Sequence, residues 1–285
     1  GDGEAVRGEK DCSAKASMQQ NRMSENSSFQ DLVKTDEAAE LEKASRTALT
    51  KEQLEERKTV IVTGASRGIG HATATLFLER DWRVITCSRD QAPPECKRDP
   101  NWTHHIPTDL ADSDSIANFI EKSIDALDGR PLHALINNAG VSPKAPFKER
   151  LGCLNGDLDA WREVFELNFF AGLKLARGFA SPLHKGKGAI VNITSIAGHK
   201  IHPFAGSAYS TSKAALSALT RELSNEFATL DVRVNAVAPG EIETPMIQPE
   251  YEALIPRIPL DRLGTTREVA TTVFYLCSDD SSYVT

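Results

Sequence analysis

Tyr209 and Lys213 stand four residues apart in a stretch that reads as helix through Glu222, so both side chains project from one helix face. A phenol with a pKa near ~10 is a poor base at neutral pH, and a nearby ammonium favours the phenolate and lowers that value. The pair could therefore shuttle a proton to a carbonyl or an alcohol. Such pairs are also common on ordinary helix surfaces, so the spacing alone leaves a solvated face open. Ser195 precedes them, directly after the apolar run 189–194. In an open α/β sheet the carboxyl ends of the strands form the ligand crevice, which would put Ser195 where a substrate carbonyl binds. Its other reading is a loop or helix-capping serine. His199 and His202 lie between Ser195 and Tyr209 with no acidic or cysteine partner nearby in sequence, which fits surface or substrate contacts better than a metal. No metal is expected.

A second chemical feature is the run 63–70, Thr-Gly-Ala-Ser-Arg-Gly-Ile-Gly. It leaves a β-branched run and enters a helical pattern. Gly64 permits the turn out of the strand, Gly68 lets the backbone approach a pyrophosphate, and Gly70 lets the helix pack close to the sheet. The helix N-terminus then offers free N–H groups and a positive dipole end to phosphates. The glycine spacing is GxxxGxG rather than GxGxxG, so a dinucleotide reading needs support from elsewhere.

The elements that must hold these residues follow from hydrophobic pattern. Short apolar, β-branched runs occur at 59–63, 82–87, 132–136, 189–194 and 232–238, with a weaker one near 102–106. Amphipathic helix-length stretches lie between them at 69–80, 113–127, 158–180, 207–230 and 266–277. The alternation predicts one α/β domain over 58–285, a doubly wound parallel sheet with right-handed crossovers. Residues 1–57 form an extension. Its first part is too polar to offset the entropy of ordering and is expected to be disordered, and Thr50-Lys51-Glu52-Gln53 has capping-box form for a short helix.

Composition excludes some functions. The net charge of −7 offers no basic stripe for nucleic acid. No apolar run approaches the ~18 residues of a membrane span. The five cysteines are odd in number and scattered, without metal spacing, which points to a reducing, cytoplasmic setting.

Together the glycine loop, Asn137-Asn138-Ala139-Gly140 after the fourth strand, Asn168, Ser195, Tyr209 with Lys213, and Pro239-Gly240 after the sixth strand resemble the short-chain dehydrogenase/reductase family. The resemblance runs from Thr59 to Thr285 and implies a Rossmann-type fold. It further implies that Tyr209 exchanges the proton, Ser195 binds the substrate oxygen, and Lys213 lowers the tyrosine pKa and binds the nicotinamide ribose. Asn168 would help hold a water linking Lys213 to solvent. Gly64, Ser66, Arg67, Gly68, Ile69 and Gly70 would cradle the pyrophosphate, and Asn138, Ala139 and Gly140 would line the adenosine side. Asp109 and Leu110 would flank the adenine, while Pro239, Gly240, Ile242 and Thr244 would hold the nicotinamide.

NAD enzymes commonly place an acid at the end of the second strand to hold the ribose 2′-hydroxyl. Here that end reads Ser88-Arg89, with Arg67 in the glycine loop, and two guanidiniums suit a 2′-phosphate. NADP(H) is therefore preferred over NAD(H), with Asp90 expected to point elsewhere. The resemblance implies a small ketone, 3-oxoacyl thioester or secondary alcohol as substrate and a homodimer or homotetramer as the assembly. A different class, a catalytically silent dinucleotide-binding sensor or partner subunit, is opposed by the intact Asn168, Ser195, Tyr209 and Lys213. The loops 142–159 and 241–262, the latter with Met246, Tyr251 and Leu254, shape a pocket or are plain surface. Relatives continue past Ser-Tyr-Val-Thr with a final strand; if Thr285 ends the chain, the sixth strand is an exposed apolar edge prone to aggregation.

Overall fold

The computed structural model describes residues 57–89, 100–144, 150–245 and 249–285. Except for Arg57, the expected N-terminal extension and its capping-box segment lie outside the described residues, as do Asp90 and Met246.

Six strands form one parallel sheet: β1 (Thr59–Thr63), β2 (Arg83–Ser88), β3 (Trp102–Pro107), β4 (Ala134–Asn137), β5 (Ala189–Ile193) and β6 (Arg233–Val237). Their order is β3-β2-β1-β4-β5-β6, so the direction of strand addition reverses between β1 and β4. The four inner strands are buried along their whole length, because helices cover both faces. Side chains alternate between those faces. Val60 and Val62 face α1 (Gly68–Glu79) and a late helix, Thr266–Cys277, while Ile61 packs with the helices of the other layer.

The helices of that second layer are α2 (Ser113–Leu127), α3 (Leu158–Phe165), α4 (Ala171–Gly178), α5 (Ala180–Gly186) and α6 (Ser207–Phe227); Thr266–Cys277 is α7. Local chemistry sets several ends. The Asp112 side chain accepts the Ser115 N–H at the start of α2, and Thr265 with Glu268 closes a capping box at the start of α7. The stretch expected as one helix over 158–180 is instead interrupted. A π-helical turn, Glu166–Phe170, separates α3 from α4, and the chain bends at Phe179. The bend has a simple cause: Pro182 has no N–H to give the Gly178 carbonyl, so the helix cannot run through. The π turn has its cause in the site described below.

The aromatic contact between α1 and α7 anchors one layer. Phe77 is fully buried, with its ring edge-to-face at 4.9 Å from Trp82 and 5.1 Å from Phe274. Truncating it empties a well-packed site. Phe77→Ala is expected to cost about 3–5 kcal/mol of unfolding free energy. Urea denaturation of the two proteins measures this, and a loss below about 1 kcal/mol would mean that the layer relaxes around the gap.

Candidate active site

The carboxyl ends of β1 and β4 are tied together by one hydroxyl. Thr63 Oγ1 donates to the Ile136 carbonyl at 3.1 Å and accepts the N–H groups of Asn138 at 3.0 Å and Ala139 at 3.1 Å. Asn138 Nδ2 returns two bonds, to the Thr63 carbonyl at 2.9 Å and the Gly64 carbonyl at 3.1 Å. The side chain of Asn138 thus closes the switch point of the sheet. Leu110 likewise turns inward, buried in the core layer with Ile106, Ile116 and Phe119. Asp109 is exposed and its carboxylate accepts the Ala111 N–H.

The glycine loop has the shape that a pyrophosphate needs. Gly64 sits at φ +66°, and a Cβ at Gly70 would lie 2.3 Å from the Gly64 carbonyl oxygen, so loop and helix close on each other directly. Arg67 precedes α1 without a side-chain cap, and no acidic residue occupies the first turn. The helix therefore offers its N–H groups and positive dipole end to an anion. Arg67 and Arg89 are both exposed, at the loop and at the end of β2 respectively. Ser88 is buried beside them, its Oγ 3.2 Å from His105 Nε2. These residues fit a dinucleotide. Ile242 and Thr244 follow β6 on the far side of the loop, where Thr244 is the nearest neighbour, at 3.7 Å, of a Cβ built on Gly68.

Four polar residues converge where β4 and β5 end. Lys213 is buried and its Nζ donates to the Ile193 carbonyl at 2.7 Å. Ser195 follows β5 in extended conformation, and its Oγ accepts the Ala197 N–H at 3.1 Å, capping the 3₁₀ turn Ile196–Gly198. That turn lies hard against α6: a Cβ on Gly198 would stand 2.8 Å from the Ala214 N. Tyr209 is one helical turn before Lys213, whose Nζ lies 5.8 Å from the tyrosine ring centroid. Asn168 sits in the π turn. Its Oδ1 accepts the Val141 N–H at 2.9 Å, and its Nδ2 donates to the Val141 carbonyl and to Ser212 Oγ, both at 3.0 Å. A side chain that satisfies the strand-end backbone and α6 at once accounts for the widened turn, which shifts the residue relative to a regular helix.

Electrostatics differs from the sequence expectation. Burial pushes the Tyr209 phenol up; the Ser195 hydroxyl pulls it back, and the Glu241 carboxylate pushes it further up. Lys213, expected to hold the phenol down, is itself pushed down to about 8 by burial. Sequence reasoning missed Ser212, three residues after Tyr209, and the pair His202–Glu241. His202 is buried, not a surface residue, and its Nε2 lies 2.7 Å from Glu241 Oε1. His199 is exposed, whereas Tyr251 and Leu254 are buried within a 3₁₀ segment, Pro249–Arg257, rather than forming plain surface. Among the described residues no group of three or more His, Cys, Asp or Glu is arranged to hold a metal, and no helix is long and apolar enough to cross a membrane.

The buried amine makes stability depend on pH. The unfolded chain holds the Lys213 proton up to about pH 10.5 and the folded chain only to about 8, so stability rises with pH across that window. Relative to Lys213→Met, the wild-type protein is expected to gain roughly 3 kcal/mol between pH 8 and 10.5 in urea unfolding. A flat difference would show that the amine is not desolvated.

Comparison with known proteins agrees with this architecture. The short chain dehydrogenase family model matches residues 58–254. Protein FixR of Bradyrhizobium diazoefficiens is 51% identical over 232 residues, covering 81% of this chain and 84% of that protein. A short-chain dehydrogenase/reductase family oxidoreductase from Brucella ovis, crystallised with a partially ordered NAD, is 46% identical, with a TM-score of 0.70 over 81% of this chain and 97% of its own. The 3-oxoacyl-(acyl-carrier protein) reductase of Brucella melitensis with bound NAD is 32% identical, with a TM-score of 0.71 over 83% and 92%. By sequence and by fold, this chain belongs to the short-chain dehydrogenase family, whose members are oxidoreductases built on the Rossmann-type sheet.

Proposed function

We propose that the protein interconverts a ketone, a 3-oxoacyl group included, and a secondary alcohol, with NADP(H) as cofactor and Tyr209 as general acid and base. The observation that carries this reading is the gathering of Tyr209, Ser195, Lys213 and Asn168 at the carboxyl ends of β4 and β5, beside a glycine loop shaped for a pyrophosphate. The bound nicotinamide supplies or takes up the hydride. In the reductive direction Tyr209 gives its phenolic proton to the carbonyl oxygen, and Ser195 donates a hydrogen bond to that same oxygen. A phenol kept above its ordinary pKa by burial stays protonated, which suits it to act as the acid. Lys213 brings a proton-carrying group next to the tyrosine and offers N–H donors to the ribose hydroxyls. Both amide hydrogens of Asn168 are engaged, so its part is to position Val141 and Ser212, and a water on the way to Lys213 is held by its main chain or its remaining Oδ1 lone pair.

The preference for NADP(H) rests on Arg67 in the glycine loop and Arg89 at the end of β2, both exposed, and on Ser88 where an NAD enzyme commonly has an acid. NAD(H) is the second reading, favoured by the NAD-bound structures of the two Brucella relatives. The unpaired Cys87, Cys153 and Cys277 support a reducing, cytoplasmic setting. The exposed apolar Leu158 and Phe170 on α3 and the π turn support assembly as a homodimer or homotetramer.

Two measurements test the proposal. Tyr209→Phe is expected to lower kcat/KM about 10²–10⁴-fold across a panel of ketones while cofactor still binds. Cofactor binding without any Tyr209-dependent turnover would favour a silent sensor or partner subunit instead. Arg89→Asp is expected to raise KM for NADPH far more than for NADH, and equal effects on both would remove the 2′-phosphate role.

A further inference from the structure

Beside the reacting groups lies a carboxylate that the proton transfer does not use. Glu241 follows Gly240 in the segment after β6. The Ile196 N–H donates to the Pro239 carbonyl at 3.1 Å, which draws that segment against the turn carrying Ser195. Backbone bonds from Gly264 N to the Glu241 carbonyl at 2.9 Å and from Glu243 N to the Gly264 carbonyl at 2.8 Å hold the main chain on both sides of Ile242.

The carboxylate is fixed from behind by His202. His202 Nδ1 accepts the backbone N–H groups of Phe204 at 3.2 Å and Ala205 at 3.0 Å. That nitrogen therefore carries the lone pair, and Nε2 carries the hydrogen that it donates to Glu241 Oε1 at 2.7 Å. The imidazole packs in a cluster with Phe204 and Tyr251, at 6.1 Å and 5.7 Å between ring centroids, and those two rings lie 4.9 Å apart. The two side chains are 6% and 10% exposed, so the charge stays in one place where solvent screens it poorly. Oε2 accepts no hydrogen bond from a described residue, yet it is not sealed from solvent.

We propose that Glu241, held by His202, sets substrate specificity: it selects ketones and secondary alcohols bearing an ammonium or hydroxyl donor beside the reacting carbon and disfavours those bearing a carboxylate there. This rests on the ketone–alcohol reading of the site. An ammonium or hydroxyl on the substrate takes the place of water at Oε2, whereas a second anion meets a like charge in a poorly screened place. The charge also reaches Tyr209, whose phenol it pushes up. Among the described residues, the titratable groups around that phenol are Lys213 on its own helix and Glu241 after β6, with His202 behind the latter and the Ser195 hydroxyl after β5.

Glu241→Gln tests the idea, because it keeps an oxygen for His202 Nε2–H, removes the charge and turns the second acceptor oxygen into a donor. With the full chain and its reduced cofactor, kcat/KM is compared for an α-amino or α-hydroxy ketone, the plain ketone and the 2-oxo acid of the same carbon skeleton. The wild-type protein is expected to prefer the donor-bearing ketone over the 2-oxo acid by about tenfold or more, the scale of a hydrogen bond to a charged group. The variant should lose that preference, chiefly through KM of the donor-bearing substrate. Its oxidative kcat/KM should also rise at lower pH than in the wild type, since Tyr209 then loses its proton more readily. A merely structural staple would move neither quantity. A wild-type protein without the preference, or a ratio and pH limb unchanged in the variant, overturns the proposal even if the plain ketone is turned over with dependence on Tyr209. If no ketone or alcohol is turned over at all, the oxidoreductase reading fails first and this one with it.

Discussion

Burial of one amine constrains the whole catalytic face. Lys213 has almost no contact with water, and among the described residues its Nζ donates to the Ile193 carbonyl. A polar group of that kind is tolerated in a core only when its partner is held in place. Holding it requires α6 to lie at a defined height over the end of β5, and the close seating of Gly198 against Ala214 supplies that height. Once the helix is set there, Tyr209 and Ser212 are set with it. Ser212 meets Asn168, Asn168 meets Val141, and the end of β4 is joined to the end of β5 through side chains as well as through the sheet.

The phenol at the centre of this arrangement is under opposed influences. Burial and Glu241 favour its protonated form, and Ser195 favours the anion. These forces come from three separate stretches of chain: the turn after β5, helix α6 and the segment after β6. Nothing local to the Tyr-xxx-Lys spacing decides their balance. It follows from how the sheet delivers two strand ends and a helix to one place, which is the general reason that open α/β sheets bind ligands at their carboxyl edge.

Most of the framework was legible from residue patterns because parallel strands covered on both faces must be apolar along their length. The runs at 59–63 and 189–194 could therefore be placed to within a residue or so. The glycine loop was legible because its backbone conformations exclude most side chains. The interruption of the 158–180 helix was not. A π turn has no composition of its own; here it carries Asn168, whose amide meets the Val141 backbone and Ser212, partners distant in sequence. The structural part played by the Asn138 side chain was not legible either. Its amide bonds to the carbonyls of Thr63 and Gly64 join segments more than seventy residues apart, which no local pattern carries.

The sequence by itself determined the alternation of strands and helices, the glycine turn and the helical face shared by Tyr209 and Lys213. Those depend on backbone sterics and on periodicities of two and 3.6 residues, which neighbouring residues carry. Tertiary structure alone decided the electrostatic state of the site. Whether Lys213 is desolvated, whether His202 is buried and whether Glu241 lies close enough to act on Tyr209 all depend on segments distant in sequence. Charge interactions and desolvation act through space, so only the folded chain could reveal that the tyrosine answers to burial and to a carboxylate more than thirty residues away.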